Sequence, residues 1–284
     1  MRTGDRHACI FAAIPRNFAP IGPQMAAAIH GAMRSLAVLV AAWQALIWAF
    51  APPRYILPAP LDVLAVFRHR PLYLLDHMLV TLGEIAAGFV AGTVLGIATA
   101  LCIAAFPRLG RLVWPIMLVL QAFPVFVIAP LLVLWFGFGM ASKVVMTTLI
   151  IFFPVASYFA DGLRRIEPAI LDATAITEAT HWQALRHVRL PLALPSLVSG
   201  LRVAAPLAPL GAVIGEWVGA SAGLGFVMVQ ANARMQTDTV FAAMAIIALL
   251  TLALRAAVDW LGPLLTPWAE ADDNPRHLNE WKRP

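Results

Sequence analysis

Residues 161–196, DGLRRIEPAILDATAITEATHWQALRHVRLPLALPS, decide how the rest of this chain is read. In a polypeptide that is 61% hydrophobic and only 12% charged, this is the one long interior run that is both polar and patterned as helices. Apolar residues recur at Ile166, Ile170, Leu171 and Ile176, and again at Trp182, Leu185, Val188 and Leu190, so the run predicts two short amphipathic helices over 164–178 and from His181 onward, the second ended by Pro191 and Pro195. On both sides of it lie apolar blocks long enough to cross a bilayer. The run therefore sits in water between membrane spans.

Composition supports that solvent assignment. The 284 residues have a mean hydropathy of +0.81, and a water-soluble domain would carry about 25% charged residues. Cys9 and Cys102 stand far apart with neither CxxC nor zinc-type spacing, so neither a disulfide framework nor a zinc site is suggested. The formal charge of +5 comes from basic residues that cluster beside apolar blocks. That is how membrane topology is encoded, and nucleic acid is not an expected partner.

Working outward, six spans are expected, at 35–50, 85–106, 112–142, 144–160, 197–217 and 239–254. Residues 1–34 mix Arg, Pro and small residues without a period and read as a cytoplasmic leader, with Met25 and Met33 as alternative starts. Ala49-Phe50-Ala51 also fits a small-x-small cleavage site after a short apolar region. Residues 51–76, with five prolines, form an outer connector that holds an amphipathic piece over 61–67. The second span places Gly88, Gly92 and Gly96 on one face, a series that lets another helix approach closely. Glu84 stands at its outer end, as an interhelical hydrogen-bonding group or a proton carrier.

The third run holds Pro115, Pro124 and Pro130, whose broken helical bonding favours a helix facing protein or a cavity. Gln121 and Phe123, with Trp135, are pathway candidates there. Arg202 is expected to snorkel to the inner face. Glu216, at the outer end of span five, is a pathway or gate candidate; the alternative is a hydrogen bond to the glycine-rich 218–238 segment, which is expected to be bent and not a regular helix. Residues 266–284 form a polar cytoplasmic tail. With six spans and both termini inside, thirteen of the twenty Lys and Arg residues lie on the inner pieces and five on the outer ones, the bias that cytoplasmic loops show.

The loop residues resemble the coupling-loop motif of bacterial ATP-binding cassette importer permeases: Glu-Ala-Ala, three residues, Gly, nine residues, Ile, one residue, Leu-Pro. Asp172, Ala173, Thr174, Glu178, Val188, Leu190 and Pro191 occupy the matching positions. Ala173, Leu190 and Pro191 match outright and Asp172 and Val188 are conservative; Thr174 departs, and Glu178 stands where the family keeps glycine. A glycine permits a sharp bend, so Glu178 implies a different turn or a longer first helix. The resemblance runs from about residue 57 to 262, through TLGEIAAGFVAGTVLG, APLLVLWFGFGMASKV and IGEWVGASAGLG, which look like the subgroup of permeases for nitrate, sulfonate, taurine and thiamine precursors. APLGAVIGEWVGASAGLGFVMVQANARMQTD is most similar to permeases assigned to pyrimidine precursors of thiamine.

The resemblance implies an all-α membrane protein of about six transmembrane helices in the bacterial inner membrane, with a permease domain over 35–265 and a cytoplasmic two-helix coupling loop, 161–196, between spans four and five. It also implies a second copy of the permease, a periplasmic solute-binding protein, and a cytoplasmic ATPase that holds ATP and Mg and takes the loop, with Trp182 and Arg186 among the docking residues. No GxxxxGK[ST] phosphate loop occurs here, so hydrolysis is left to that partner, with no cofactor, metal or catalytic residue expected in this chain. Nitrate, sulfonate or taurine remain alternative solutes. A secondary ion-coupled transporter is the alternative class; it calls for paired ionisable groups near the midplane and for internal repeats, whereas Glu84 and Glu216 read as lying near span ends.

Overall fold

In the computed structural model of the chain, residues 21–167, 169–170, 174 and 176–269 are described, residues 21–30, 32 and 120 by their backbone alone. The chain divides into two compact units, Met1–Pro53 and Arg54–Pro284. The first contains α1 (Ile21–Phe50), which takes in residues 21–34 of the expected leader as well as the first expected span. Ala51, at φ 43°, turns the chain out of this helix into Pro52 and Pro53.

The described residues of the second unit form helices joined by turns and short connectors. A short helix, α2 (Pro60–His69), starts at a proline whose missing N–H costs nothing in a first turn, and the Asp62 carboxylate accepts from the Ala59 N–H at 3.2 Å. Then follow α3 (Pro71–Ala105), α4 (Pro107–Ala122), α5 (Val125–Phe136) and α6 (Met140–Arg164). After the loop come α7 (His181–Ala184), a π-helical turn over Leu185–Arg189, α8 (Leu190–Ala204), α9 (Leu207–Gly219), α10 (Leu224–Ala233) and α11 (Thr237–Leu265).

Packing is inverted relative to a soluble bundle. Val90, Val94, Leu249 and Leu252 are all more than 60% exposed, while alanines fill much of the interior: Ala156, Ala193, Ala204, Ala208 and Ala212 are wholly buried. In lipid, burying large apolar groups brings little gain, and small residues allow helices to approach closely. The α3–α6 contact shows this directly. Gly88 faces Thr147, Gly92 faces Ile151 and Gly96 faces Val155, and a Cβ on any of these glycines would fall within 3 Å of its partner. The small-residue series read from the sequence is therefore the seam between α3 and α6.

Several expectations are corrected. Five described helical runs are long and apolar enough to cross a membrane, at 33–50, 71–105, 140–164, 181–219 and 237–265. The expected 112–142 span is instead two helices of 16 and 12 residues, α4 and α5, separated at Phe123-Pro124, because proline disfavours a helical residue before it. Pro191 and Pro195 do not end a helix: Pro191 lies in the first turn of α8 and Pro195 within it. The wider π turn ahead of them, where the Leu190 N–H bonds to the Leu185 carbonyl, gives the proline ring room. The 218–238 segment is not wholly irregular either, since α10 occupies ten of its residues. Arg202 does not simply snorkel: its Nε donates to Asp259 Oδ1 at 2.8 Å, and the other Asp259 oxygen accepts from Arg255 Nε at 2.9 Å.

Gly92→Ala should destabilise the protein by about 1–3 kcal/mol, the usual cost of overpacking a tight interface, as measured by denaturant unfolding in detergent. Gly83→Ala, whose new Cβ would meet only Met140 Cε at 3.7 Å, should change stability little.

Candidate functional site

Two assemblies of side chains stand out, one at each end of α6. At the C-terminal end lies the loop. Asp172 and Ala173 of the expected docking set lie outside the described residues. Thr174 Oγ1 donates to the Ile170 carbonyl at 2.6 Å. Glu178 has φ 55°, the left-handed conformation that glycine adopts at little cost and other residues adopt at about 1–2 kcal/mol. The expected different turn or longer helix is thus absent: helical structure stops at Ile176, and Glu178 makes the glycine-type bend itself.

Two residues further on, Thr180 caps α7. The Gln183 N–H donates to Thr180 Oγ1 at 3.3 Å, and the Gln183 side-chain oxygen accepts from the Thr180 N–H at 2.8 Å. This reciprocal pair fixes where the helix starts and so where Trp182 projects. Trp182 is 57% exposed and Ile176 84%. The indole lies edge-on to Phe106, with centroids 5.9 Å apart, so the first turns of α4, with Arg108 and Arg111, are at the same end. Arg186 is exposed, Val188, Leu190 and Pro191 are half-buried, and Leu185 is buried. One face of the loop therefore anchors it to the bundle, and the other offers Trp182, Ile176 and Arg186.

At the N-terminal end of α6 is a buried polar cluster. Glu216 of α9, only 2% exposed, accepts from Thr81 Oγ1 of α3 at 2.6 Å and, through its second oxygen, from the Gly225 N–H. Thr81 Oγ1 in turn accepts from the Leu224 N–H at 2.8 Å, and His77 Nδ1 accepts from the Gly223 N–H at 3.0 Å. The start of α10 is thereby held by three side chains of α3 and α9. Gly223 sits at φ 108°, and a Cβ there or at Gly225 would collide with the Glu216 carboxylate. The glycines of this segment are thus set by the acid they receive.

Lys143 of α6, 1% exposed, gives its ammonium hydrogens to the carbonyls of Phe138 (2.6 Å), Gly139 (3.1 Å) and Gly219. It ties the α5–α6 turn to the end of α9. The Glu84 carboxyl, 3% exposed, lies against that of Glu216. Glu84 is not at a helix end as expected: α3 begins at Pro71, about 20 Å earlier at 1.5 Å per residue. Lys143, Thr81 and His77 were missed by sequence reasoning, whose only available signal was a lone charge beside each apolar run. Of the pathway candidates, Gln121 and Phe123 are exposed at the α4–α5 break, and the structure does not bring them into this cluster. Among the described residues, no group of three His, Cys, Asp or Glu could hold a metal ion.

Fold and sites together define a multi-span membrane transport subunit. The chain belongs to the family of binding-protein-dependent transport system inner membrane components, whose pattern matches residues 92–270, and it is the permease subunit of an ATP-binding cassette importer. It is 47% identical over 225 residues to a probable ABC transporter permease of Haemophilus influenzae, covering 79% of this chain and 91% of that one. It is 35% identical to the formylaminopyrimidine transport permease ThiX of Halalkalibacterium halodurans (75% and 86% covered). It is also 35% identical to the riboflavin permease RibX of Chloroflexus aurantiacus (82% and 88%). Its fold is that of the membrane subunit seen in inward-facing structures of the MetNI methionine transporter, with a TM-score of 0.61 at 21% identity over 69% of this chain and 99% of that one.

Two outcomes test the geometry. Glu216→Ala, which leaves the Gly225 N–H without its acceptor and the Thr81 hydroxyl with only the His77 carbonyl, should lower stability by about 2–4 kcal/mol, as measured by thermal unfolding in detergent. Glu178→Gly should raise it by about 0.5–1 kcal/mol in the same assay, since the left-handed bend is relieved in part at the expense of a more flexible unfolded chain.

Proposed function

We propose that this permease works as a pair with a second copy of itself, that a periplasmic binding protein delivers its solute, and that its 161–196 loop is the lever through which a cytoplasmic ATPase drives it. The observation that carries this reading is the apolar pair Ile176 and Trp182, exposed on a capped and bent loop that is otherwise polar. Exposed tryptophans flanked by arginine are the residues on which binding energy concentrates at protein contacts. The basic bias of the inner pieces supports a cytoplasmic loop and cytoplasmic termini. ATP and Mg belong to the partner, since this chain has no phosphate loop. A membrane segment driven in this way needs a stiff contact, which the cap at Thr180 and the buried Leu185 provide.

For the solute, the reading we favour is a pyrimidine precursor of thiamine. It is supported by the similarity to a formylaminopyrimidine permease and by the 208–238 segment that carries the same resemblance.

Trp182→Ala should reduce solute-stimulated ATP hydrolysis by about tenfold or more, equivalent to about 1.4 kcal/mol of lost contact energy, with the melting temperature of the permease little changed. The measurement is ATPase activity of the permease reconstituted with its ATPase and binding protein. Unchanged stimulation would show that the loop is not the docking element.

A further inference from the structure

A cavity of about 730 Å³ opens where α6 crosses α8, at the end of α6 away from the polar cluster. The crossing is close: Ser196 packs where a Cβ on Gly162 would sit, and Tyr158 where one on Gly200 would. Hydroxyl groups of both helices, Ser157, Tyr158, Ser196 and Ser199, therefore line one groove. They stand within runs long enough to cross the membrane. A serine in a membrane helix commonly gives its proton to its own backbone, as Ser199 does to the Pro195 carbonyl at 3.1 Å. Ser157, Tyr158 and Ser196 make no side-chain hydrogen bond among the described residues. Unpaired hydroxyls are costly against hydrocarbon, and elsewhere the exposed face of the spans carries Val90, Val94, Leu249 and Leu252. The groove is also continuous with water at its mouth, where the Asp161 and Arg165 side chains are 43% and 82% exposed.

We propose that this groove is a water-filled vestibule by which solute leaves the permease, with the four hydroxyls as its contacts and the 161–196 loop as one of its walls. Ile166 and Ile170 of the loop close one side of it, so the element read as the lever also shapes the exit. A volume of about 730 Å³ falls within the 300–1,000 Å³ that small-molecule sites occupy. Among the described residues Arg165 is the only cation on the lining, and it stands 3.8 Å from the Asp161 carboxylate, while Glu167 adds a further negative charge. An anion finds no free partner here. The solute that fits is uncharged, with polar edges for the hydroxyls and a flat face for Tyr158.

The inference deepens the importer reading and rests on it. The test places the complete transporter, permease with its ATPase and binding protein, in inside-out vesicles and treats Ser199→Cys with a charged, membrane-impermeant methanethiosulfonate, which attacks the thiolate that forms in water. After subtraction of the labelling of the unsubstituted chain, Ser199→Cys should react about tenfold or more faster than Leu249→Cys, which lies on the outward apolar surface. Millimolar formylaminopyrimidine should slow that reaction about twofold or more, the effect of half-occupancy, and ethanesulfonate should not. Ser199→Cys reacting no faster than Leu249→Cys would overturn the vestibule and leave a face covered by lipid or by the second copy. Should that variant fail to assemble, Ser157→Cys on the opposite wall decides the matter in the same way. A reaction that neither compound slows would overturn the assignment to solute, and protection by ethanesulfonate alone would overturn the charge class. The importer reading is tested apart from these: if the ATPase neither binds the permease nor responds to the binding protein, that reading falls and takes the vestibule with it.

Discussion

The bond between the Glu216 carboxylate and its three-sided surroundings is the constraint on which one end of this bundle depends. A carboxylate with 2% exposure survives among apolar helices only if its oxygens are supplied with donors. Here the donors come from two different elements, Thr81 of α3 and the first turn of α10. Neither element can move away without leaving an acceptor unpaired, so a single acid fixes the entry into α10 relative to α3 and α9. The glycines follow from this. Gly223 and Gly225 must lack a Cβ because the carboxylate occupies that space, and the left-handed turn at Gly223 follows the path that the contact imposes. Lys143 makes the complementary bond from the other side, since its three carbonyl acceptors close the α5–α6 turn onto the end of α9. An isolated ammonium in a low-dielectric interior is as costly as an isolated carboxylate. The two charges stabilise each other through the field and stabilise the backbone through their hydrogen bonds.

At the other end the controlling quantity is backbone conformation and not charge. The loop has to reverse direction between its two helical pieces within a few residues, and Glu178 does so at φ 55° although its side chain disfavours that conformation. The strain is tolerated because both flanks are fixed: Thr177 Oγ1 bonds back to the Thr174 carbonyl at 2.7 Å, and Thr180 caps the next helix. A glycine would make the same bend with less strain but also with less stiffness. Glutamate at this position therefore trades stability for a turn whose geometry is set by its neighbours.

How far the sequence could be read follows from the range of the forces involved. Apolar runs and the Gly88-Gly92-Gly96 series are local patterns, and they located most of the apolar helices and the face of α3 that another helix approaches; the prolines of 112–142 marked an interrupted span without showing that it is two helices. The loop was found because polarity and helical period coincide over 36 residues. The polar cluster could not be found this way. Thr81 and Glu216 are 135 positions apart, each is a lone polar residue in its own run, and nothing in spacing or period says which run meets which. Glu84 was misplaced for a related reason: the run without charges begins at Ile85, but the helix begins at Pro71, because a charged side chain that finds partners in the bundle does not end a membrane helix. Pro191 was misread because a proline was taken as a stop signal, whereas a π turn ahead of it gives the ring its space.

Both ends meet on α6, and its packing determines what a displacement of the loop can do. The helix is 25 residues long, about 37 Å at 1.5 Å per residue. Ser196 of α8 packs where a Cβ on Gly162 would sit, near the C-terminal end of α6, and Lys143 lies near its start. Between them, Thr147, Ile151 and Val155 fill the places that side chains on Gly88, Gly92 and Gly96 would take. Interdigitated helices of this kind resist sliding, because each methyl group would have to ride over the next glycine's backbone before finding another recess. A force applied to α8 would thus be shared by α6 and α3, and the first contacts able to yield are those at the far end. There the bonds run to the backbone of short turns, 137–139 and 219–225, and not to another long helix. The stiff seam and the polar cluster thus differ in kind: interdigitated side chains hold α3 to α6, and hydrogen bonds to short turns hold the end around Glu216 and Lys143.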